Sequence, residues 1–244
     1  MNKRLCNSRG FTLIELVMVI IIMGILAAVA TINFSSMMDT ARYEAAKAEL
    51  EGLARAIAGN PDLYDNGRRS DFGYVGDIGA LPANLDALVT NPGYGTWRGP
   101  YIKGDFVSTD FKSDPWGINF QIIGTTLRST GSGTNIDKLF APSSIALLTN
   151  TITGVLLDAD QTAPGSIYKD SVSILLLYPN GTGGTASAVA VPTSSGSFSF
   201  VGIPIGNHTL RVIYLPAHDT LDFTICLKPG SSPRADLTLP IDLW

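Results

Sequence analysis

The sequence predicts an α+β protein: a long N-terminal transmembrane α-helix, a small sheet-bearing head, and then an all-β sandwich. Three observations predict it. Residues Phe11 to Ala30 form an apolar run that continues to about Ala58 without a proline. The middle, from about Asn60 to Phe140, is rich in glycine, aromatic residues and turn signals. From Thr151 onward, short apolar runs recur at regular spacing between turn residues, as in a sandwich of short strands. At 244 residues the chain has room for one large or two small domains besides the helix.

The first element is a leader. Met1 to Gly10 carries Lys3, Arg4 and Arg9 and no acidic residue, which marks a cytoplasmic flank. A secretory signal peptide places its apolar region before the cut. Here charges come first, then Gly10, then the apolar run, so removing the leader keeps the hydrophobic helix on the mature chain. Nothing apolar of any length precedes Cys6, which argues against a lipoprotein site. About twenty residues from Phe11 cross a bilayer core of about 30 Å. Within them stands a single carboxylate, Glu15. A charge at such depth costs about 3 kcal/mol on insertion scales, so an intramembrane carboxylate calls for a function and a partner. A chain cut after Gly10 supplies one, because the new α-amine of Phe11 lies one helical turn away.

Arg9-Gly10-Phe11-Thr12-Leu13-Ile14-Glu15-Leu16 resembles the type III signal of type IV pilins and of the pseudopilins of type II secretion. The bland alternative is an uncleaved signal anchor with an accidental glutamate. Against it, glycine, phenylalanine, threonine and glutamate all stand in register with the apolar run. The resemblance implies that a prepilin peptidase cuts between Gly10 and Phe11 and methylates the Phe11 amine. It also implies that Phe11 and Glu15 serve assembly, and that the fold of the N-terminal part is the pilin fold.

After Thr31 the helix turns amphipathic, with Tyr43, Ala46, Leu50, Leu53, Ala54 and Ile57 at three- and four-residue spacing. That stripe is expected to bury against a head. Gly59-Asn60-Pro61 ends the helix with a glycine cap and a breaker. Many pilins carry a proline where this chain has Ile32; Gly24 is the weak point left.

In the expected head, residues 59–140, Leu81 to Leu88 reads as a short helical turn started by Pro82, with Leu81, Leu85 and Leu88 on one face. Trp97-Arg98-Gly99-Pro100-Tyr101-Ile102 and Asp114-Pro115-Trp116-Gly117 resemble segments of the major pseudopilin head. With the leader, that resemblance covers residues 1 to about 123. Trp97, Tyr101, Trp116 and Phe120 are expected to staple a small sheet onto the helix, and Asp114 to form a turn. Major pseudopilins also carry a calcium site just beyond. The matching stretch, Leu127 to Asp137, offers Asp137 as its one carboxylate. Calcium takes six to eight oxygens, usually with several carboxylates, so an equivalent site is not expected here, although backbone oxygens and a distant aspartate could make a weak one; no cofactor is expected.

Ala141-Pro142-Ser143-Ser144 reads as the start of a linker over residues 141–150, although Ile145 to Leu148 could already be packed. The sandwich, 151–244, has apolar runs at Ile152–Leu157, Val172–Tyr178, Ala186–Val191, Phe198–Val201, Thr209–Leu215, Phe223–Leu227 and Leu237–Leu239. Thr153-Gly154-Val155, Asp158, Gly196 to Phe200 and Ile203 to Leu210 resemble carboxypeptidase regulatory-like domains, which have a transthyretin-like sandwich. Such modules stabilise, space or bind and seldom catalyse.

Little chemistry is legible. His208 and His218 lack neighbouring ligands and are expected on the surface. Asp158-Ala159-Asp160 reads as a hairpin, and Asp219 and Asp222 as solvated. There is neither a GxxxxGK[ST] phosphate loop nor a Gly-x-Ser-x-Gly elbow; the chain reads as no enzyme. A net charge of −4 with 16% charged residues gives a nucleic-acid partner no support, and Arg68-Arg69 reads as a surface pair. Once Cys6 leaves with the leader, Cys226 is the remaining thiol, read as a small buried hydrophobe, so no internal disulfide is expected.

Two function classes follow. One is a structural filament subunit, held in the inner membrane with its head in the periplasm. Its expected partners are copies of itself, other pilins or pseudopilins, prepilin peptidase, an inner-membrane assembly platform and membrane lipid. The other is a membrane-anchored or filament-tip binding protein that uses the sandwich for adhesion. The sequence is compatible with a periplasmic pseudopilus and with a surface pilus, and with a major and a minor subunit.

Overall fold

The computed structural model describes residues 11–102 and 110–244; the leader, with Gly10, lies outside the described residues. Two compact units emerge, up to Ala45 and from Ala46 to Trp244. Helix α1 (Leu13–Ala58) runs through the first into the second. At 1.5 Å per residue its length is about 70 Å. In the first unit every residue from Phe11 to Val29 is exposed, including Leu13, Ile14, Met18, Ile20 and Leu26. The helix is long and apolar enough to cross a membrane by length and composition. An all-round apolar helix suits lipid or neighbouring helices rather than water.

In the second unit, Ala46, Leu50, Leu53, Ala54 and Ile57 are buried, the expected stripe save for the exposed Tyr43. Gly59 closes the helix in the left-handed region at φ 78°, its amide donating to the Arg55 carbonyl at 2.7 Å. A Cβ there would lie 2.3 Å from the Asp71 carbonyl oxygen, so the position takes glycine alone.

The head continues with a small hairpin, β1 (Tyr64–Asp65) and β2 (Arg68–Arg69), and helix α2 (Gly73–Ile78). Sequence patterning missed α2, because Gly73, Gly76 and Gly79 mask the apolar spacing of Tyr74, Val75 and Ile78. A 3-10 turn at Leu85–Leu88 replaces the longer turn expected from Leu81; the Asn84 side chain, not Pro82, starts it by accepting the Ala87 amide at 3.2 Å. Strands β3 (Gln121–Ile123), β4 (Thr126–Ser129) and β5 (Ile136–Leu139) form an antiparallel meander.

Trp97 and Tyr101 meet edge to face at 5.6 Å, and Tyr101 meets Tyr74 at 5.7 Å. The Trp97 indole donates to the Ala87 carbonyl at 2.9 Å and the Tyr101 hydroxyl to Asp77 at 2.8 Å. These two aromatics thus clamp α2 to the 3-10 turn, where the sequence pointed to the sheet. Phe120 is buried in the head core, and Trp116 packs on it half-buried.

Residues 141–150 carry α3 (Ser144–Leu148), capped by the Ser143 hydroxyl, so the packed alternative holds in place of a free linker. Leu147 is fully buried in the head core, and its carbonyl accepts the Ile205 amide at 2.8 Å. The apolar pair Ala146 and Leu147 makes this segment part of the packed structure.

The rest is a sandwich. One sheet has the order β12 (Arg234–Thr238), β6 (Asn150–Leu157), β9 (Ser197–Ile203). The other has the order β11 (Asp219–Leu227), β10 (Gly206–Tyr214), β7 (Val172–Pro179), β8 (Thr185–Ala190). Ile152, Leu156, Phe198, Phe200 and Leu237 from the first meet Ile174, Leu176, Leu210, Val212 and Leu227 from the second. Alternation along each strand produces this core directly. A short helix, α4 (Gly165–Tyr168), lies in the β6–β7 connection.

Candidate functional site

The N-terminal end of α1 holds the residues that the sequence singled out. The helix starts where the Leu16 amide reaches the Thr12 carbonyl at 3.2 Å. Thr12 and Glu15 close on each other. The Glu15 carboxylate accepts the Thr12 amide at 2.9 Å and the Thr12 hydroxyl at 2.8 Å, and the Glu15 amide donates back to that hydroxyl at 3.3 Å. This is a capping box, with threonine before the helix and glutamate three residues on. It satisfies two amides that the first helical turn would leave without partners. The sequence places Thr12 in the signal motif and Glu15 as a lone charge; the same Thr-x-x-Glu spacing also spells the cap that joins them. Phe11 is 81% exposed beside this box. Of the predicted pair that the peptidase would read, Phe11 is described, whereas Gly10 is not.

Elsewhere, several polar groups depart from expectation. Arg69, expected on the surface, is 5% exposed. Its guanidinium donates to the Ala58 carbonyl at 2.5 Å and the Asp71 carbonyl at 2.7 Å and lies over the Phe72 ring at 4.7 Å. Burial lowers its pKa, and Asp71 counters that. A cation at the last helical carbonyls is favoured by the helix dipole. His208 is likewise buried, with Nε2 2.7 Å from the Pro204 carbonyl, and desolvation pushes its pKa down toward the neutral ring. His218 is exposed, with positive φ in the β10–β11 turn. Asp158 is fully buried and accepts the Thr162 amide at 2.9 Å. Cys226 is half-buried and packs on the head core.

Asp114 does more than form a turn. Its carboxylate accepts the Trp116 and Ile118 amides within its own turn, at 3.1 and 2.9 Å. It also accepts the Ser129 hydroxyl at 2.6 Å and the Gly131 amide at 3.0 Å. Desolvation pushes its pKa up, but these four donors outweigh it and hold the carboxyl below its ordinary range. Asp137 pairs across the strands with Arg128, both carboxylate oxygens at 2.7 Å from guanidinium nitrogens. The residues of this stretch therefore do not fit the calcium that the family resemblance implies. Its one carboxylate is taken by an arginine, and Asp114 is saturated by donors. Among the described residues no three His, Cys, Asp or Glu are grouped to hold a metal.

The long apolar helix, the capped glutamate and the small sheet define a pilin-like chain, with an all-β region added. Residues 5–31 match the family model of the prokaryotic N-terminal methylation motif. The chain is 31% identical over 115 residues to type II secretion system core protein G of Pseudomonas aeruginosa, covering 47% of this chain and 72% of the relative. It is 30% identical to the protein of the same name from Aeromonas hydrophila, covering 50% of this chain and 76% of that one. It is also 40% identical over 76 residues to the type IV major pilin protein PilA of Myxococcus xanthus, covering 31% of this chain and 33% of the pilin. The chain belongs to the type II secretion system core protein G family, and the likeness lies in its N-terminal half. Among solved structures, a dioxygenase domain from Streptomyces sp. SirexAA-E aligns over 39% of this chain and 82% of its own, with 12% identity. Its TM-score of 0.29 is too low to carry an argument.

Proposed function

We propose that this chain is a structural filament subunit, held in the bacterial inner membrane with its head in the periplasm until it assembles. Prepilin peptidase cuts after Gly10 and methylates Phe11; the assembly platform then lifts the chain into a helical bundle with other copies, pilins or pseudopilins. The observation that carries this reading is the wholly exposed apolar surface from Phe11 to Val29, interrupted only by Thr12 and Glu15 of the capping box. In lipid the capping box keeps the carboxylate hydrogen-bonded within its own chain. In the filament Glu15 turns to the Phe11 amine of a neighbour, where a charge left unpaired would cost several kcal/mol. The pair sets register more than it adds net stability. Membership in the core protein G family supports a pseudopilus over a surface pilus.

Glu15→Ala tests the reading. The variant is expected to insert in the membrane at normal levels yet yield less than about a tenth of the sheared fibres, because a buried charge left without its partner opposes assembly. Fibres at wild-type yield would refute the assembly role. Mass spectrometry of the native product is expected to begin at Phe11 with a methylated amine; a chain that still carries Met1 would refute the processing.

A further inference from the structure

The sandwich has four sheet edges, and they fall into two kinds. β11 carries Asp219 and Asp222, and β12 is short, follows Pro233 and carries Arg234 and Asp236. Charges and prolines of this kind blunt an edge against pairing with foreign strands. β9 is bulged against β6 and holds Gly202 in the left-handed region at φ 75°, which twists that edge away from a foreign strand; β8 has no such device. Residues 171–210 contain no Asp, Glu, Lys or Arg, a stretch that takes in β7, β8 and β9. β8 pairs only with β7, which leaves its outer amides and carbonyls without a strand. Thr185, Ser187 and Val189 point outward along it, Val189 being 63% exposed.

We propose that the β8 edge is a self-association surface, which pairs antiparallel with β8 of a second copy of this chain. The occupant follows from charge and from strand periodicity. Cross-strand neighbours sit about 5 Å apart, so a charged strand laid on this edge would find no counter-charge. Of the sandwich's own edges, β8 itself is neutral, extended and unblunted. A two-fold axis at Ser187 sets Thr185 against Val189 and keeps both apolar cores on one side of a continuous sheet. The surface deepens the filament reading, since a fibre would display many copies and the edge would join neighbouring fibres side by side. The pairing itself is measurable without any fibre.

Full-length protein in detergent, with Cys6→Ser and Cys226→Ser, is expected to form covalent dimers with a short bis-maleimide when it carries Ser187→Cys. With Thr220→Cys on the β11 edge it is expected to form none. In sedimentation the wild type is expected to dimerise, and Ser187→Lys, which sets two ammonium groups face to face, to do so at least about tenfold more weakly. Ser187 is exposed, so this variant keeps its fold, which its circular dichroism melt checks. Equal cross-linking at 187 and 220, a wild type that stays monomeric, or a Ser187→Lys dimer of wild-type strength would each overturn the proposal. Glu15→Ala bears on polymerisation and leaves this dimer unchanged, so the two readings fail separately.

Discussion

Leu16 and Leu50 lie in one helix, yet Leu16 is 55% exposed and Leu50 is 1% exposed. Between them the same backbone passes from an all-round apolar surface to a one-sided stripe. The first half has no protein to bury its surface among the described residues and requires lipid or other subunits. The second half builds the head core with Val75, Ile78, Leu88 and Leu127. Hydrophobicity thus does opposite work in the two halves: outward it leaves a surface suited to lipid or neighbouring helices, and inward it fixes one chain.

The sharpest way to break this comparison is to truncate one leucine in each half. Leu50→Ala is expected to cost about 3 kcal/mol of head stability through the cavity it leaves. Leu16→Ala should leave that stability within about 0.5 kcal/mol, since its side chain is exposed and outside the head core. Denaturant unfolding followed by the fluorescence of Trp97 and Trp116 measures both. Equal losses would mean that the first half is buried in its own chain.

Where the buried half ends, Arg69 joins the helix to the rest of the head. Its carbonyl also accepts the Asn207 amide group at 3.0 Å, which brings β10 of the sandwich to the same point. Arg69→Ala strands two carbonyls and is expected to cost about 2 kcal/mol in the same unfolding measurement. Arg69→Lys should recover little, because an ammonium lacks the planar fork that reaches both oxygens. A variant as stable as wild type would reduce Arg69 to a bystander.

The two halves also differ in how far the sequence could be read. Periodicity placed α1 and every sandwich strand within a few residues, since apolar runs and alternation are local signals. Arg69 and His208 were misplaced because their burial depends on partners distant in the chain or on backbone carbonyls, which leave no mark in composition. Helix α2 was lost among its glycines. Thr12 was legible in principle, and the charge of Glu15 drew the reading away from the cap it completes. Asp114 looked like a local turn former; two of its donors, Ser129 and Gly131, come from a strand and loop well down the chain.

Asp114 yields a smaller and pH-dependent effect. Its folded pKa is lowered, so the stability it confers is present above the ordinary aspartate pKa of about 3.9 and is lost as pH falls through the lowered value. Asp114→Asn is expected to cost about 1–2 kcal/mol at pH 7, because an amide nitrogen would face donors. The gap to wild type should narrow as pH falls below the ordinary aspartate pKa of about 3.9 and through the lowered folded value. A gap that stays constant with pH would show that the carboxylate's charge does not matter there.

The smallest expected effect concerns calcium, and it separates this head from the site its family resemblance implies. A bound ion stabilises a fold by about 2.7 kcal/mol at a hundred times its dissociation constant, enough to move a melting curve by several degrees. Here the β4–β5 hairpin already has its cation, the Arg128 guanidinium gripping Asp137, and Asp114 closes the loop with donors that a metal would displace. Melting of the full-length chain in detergent is therefore expected to shift by less than about 1 °C between excess chelator and millimolar calcium. A rise of several degrees with calcium would mean that Asp137 leaves Arg128 for the ion. In that case Arg128→Ala, which frees the carboxylate, should bind calcium more tightly than the wild type.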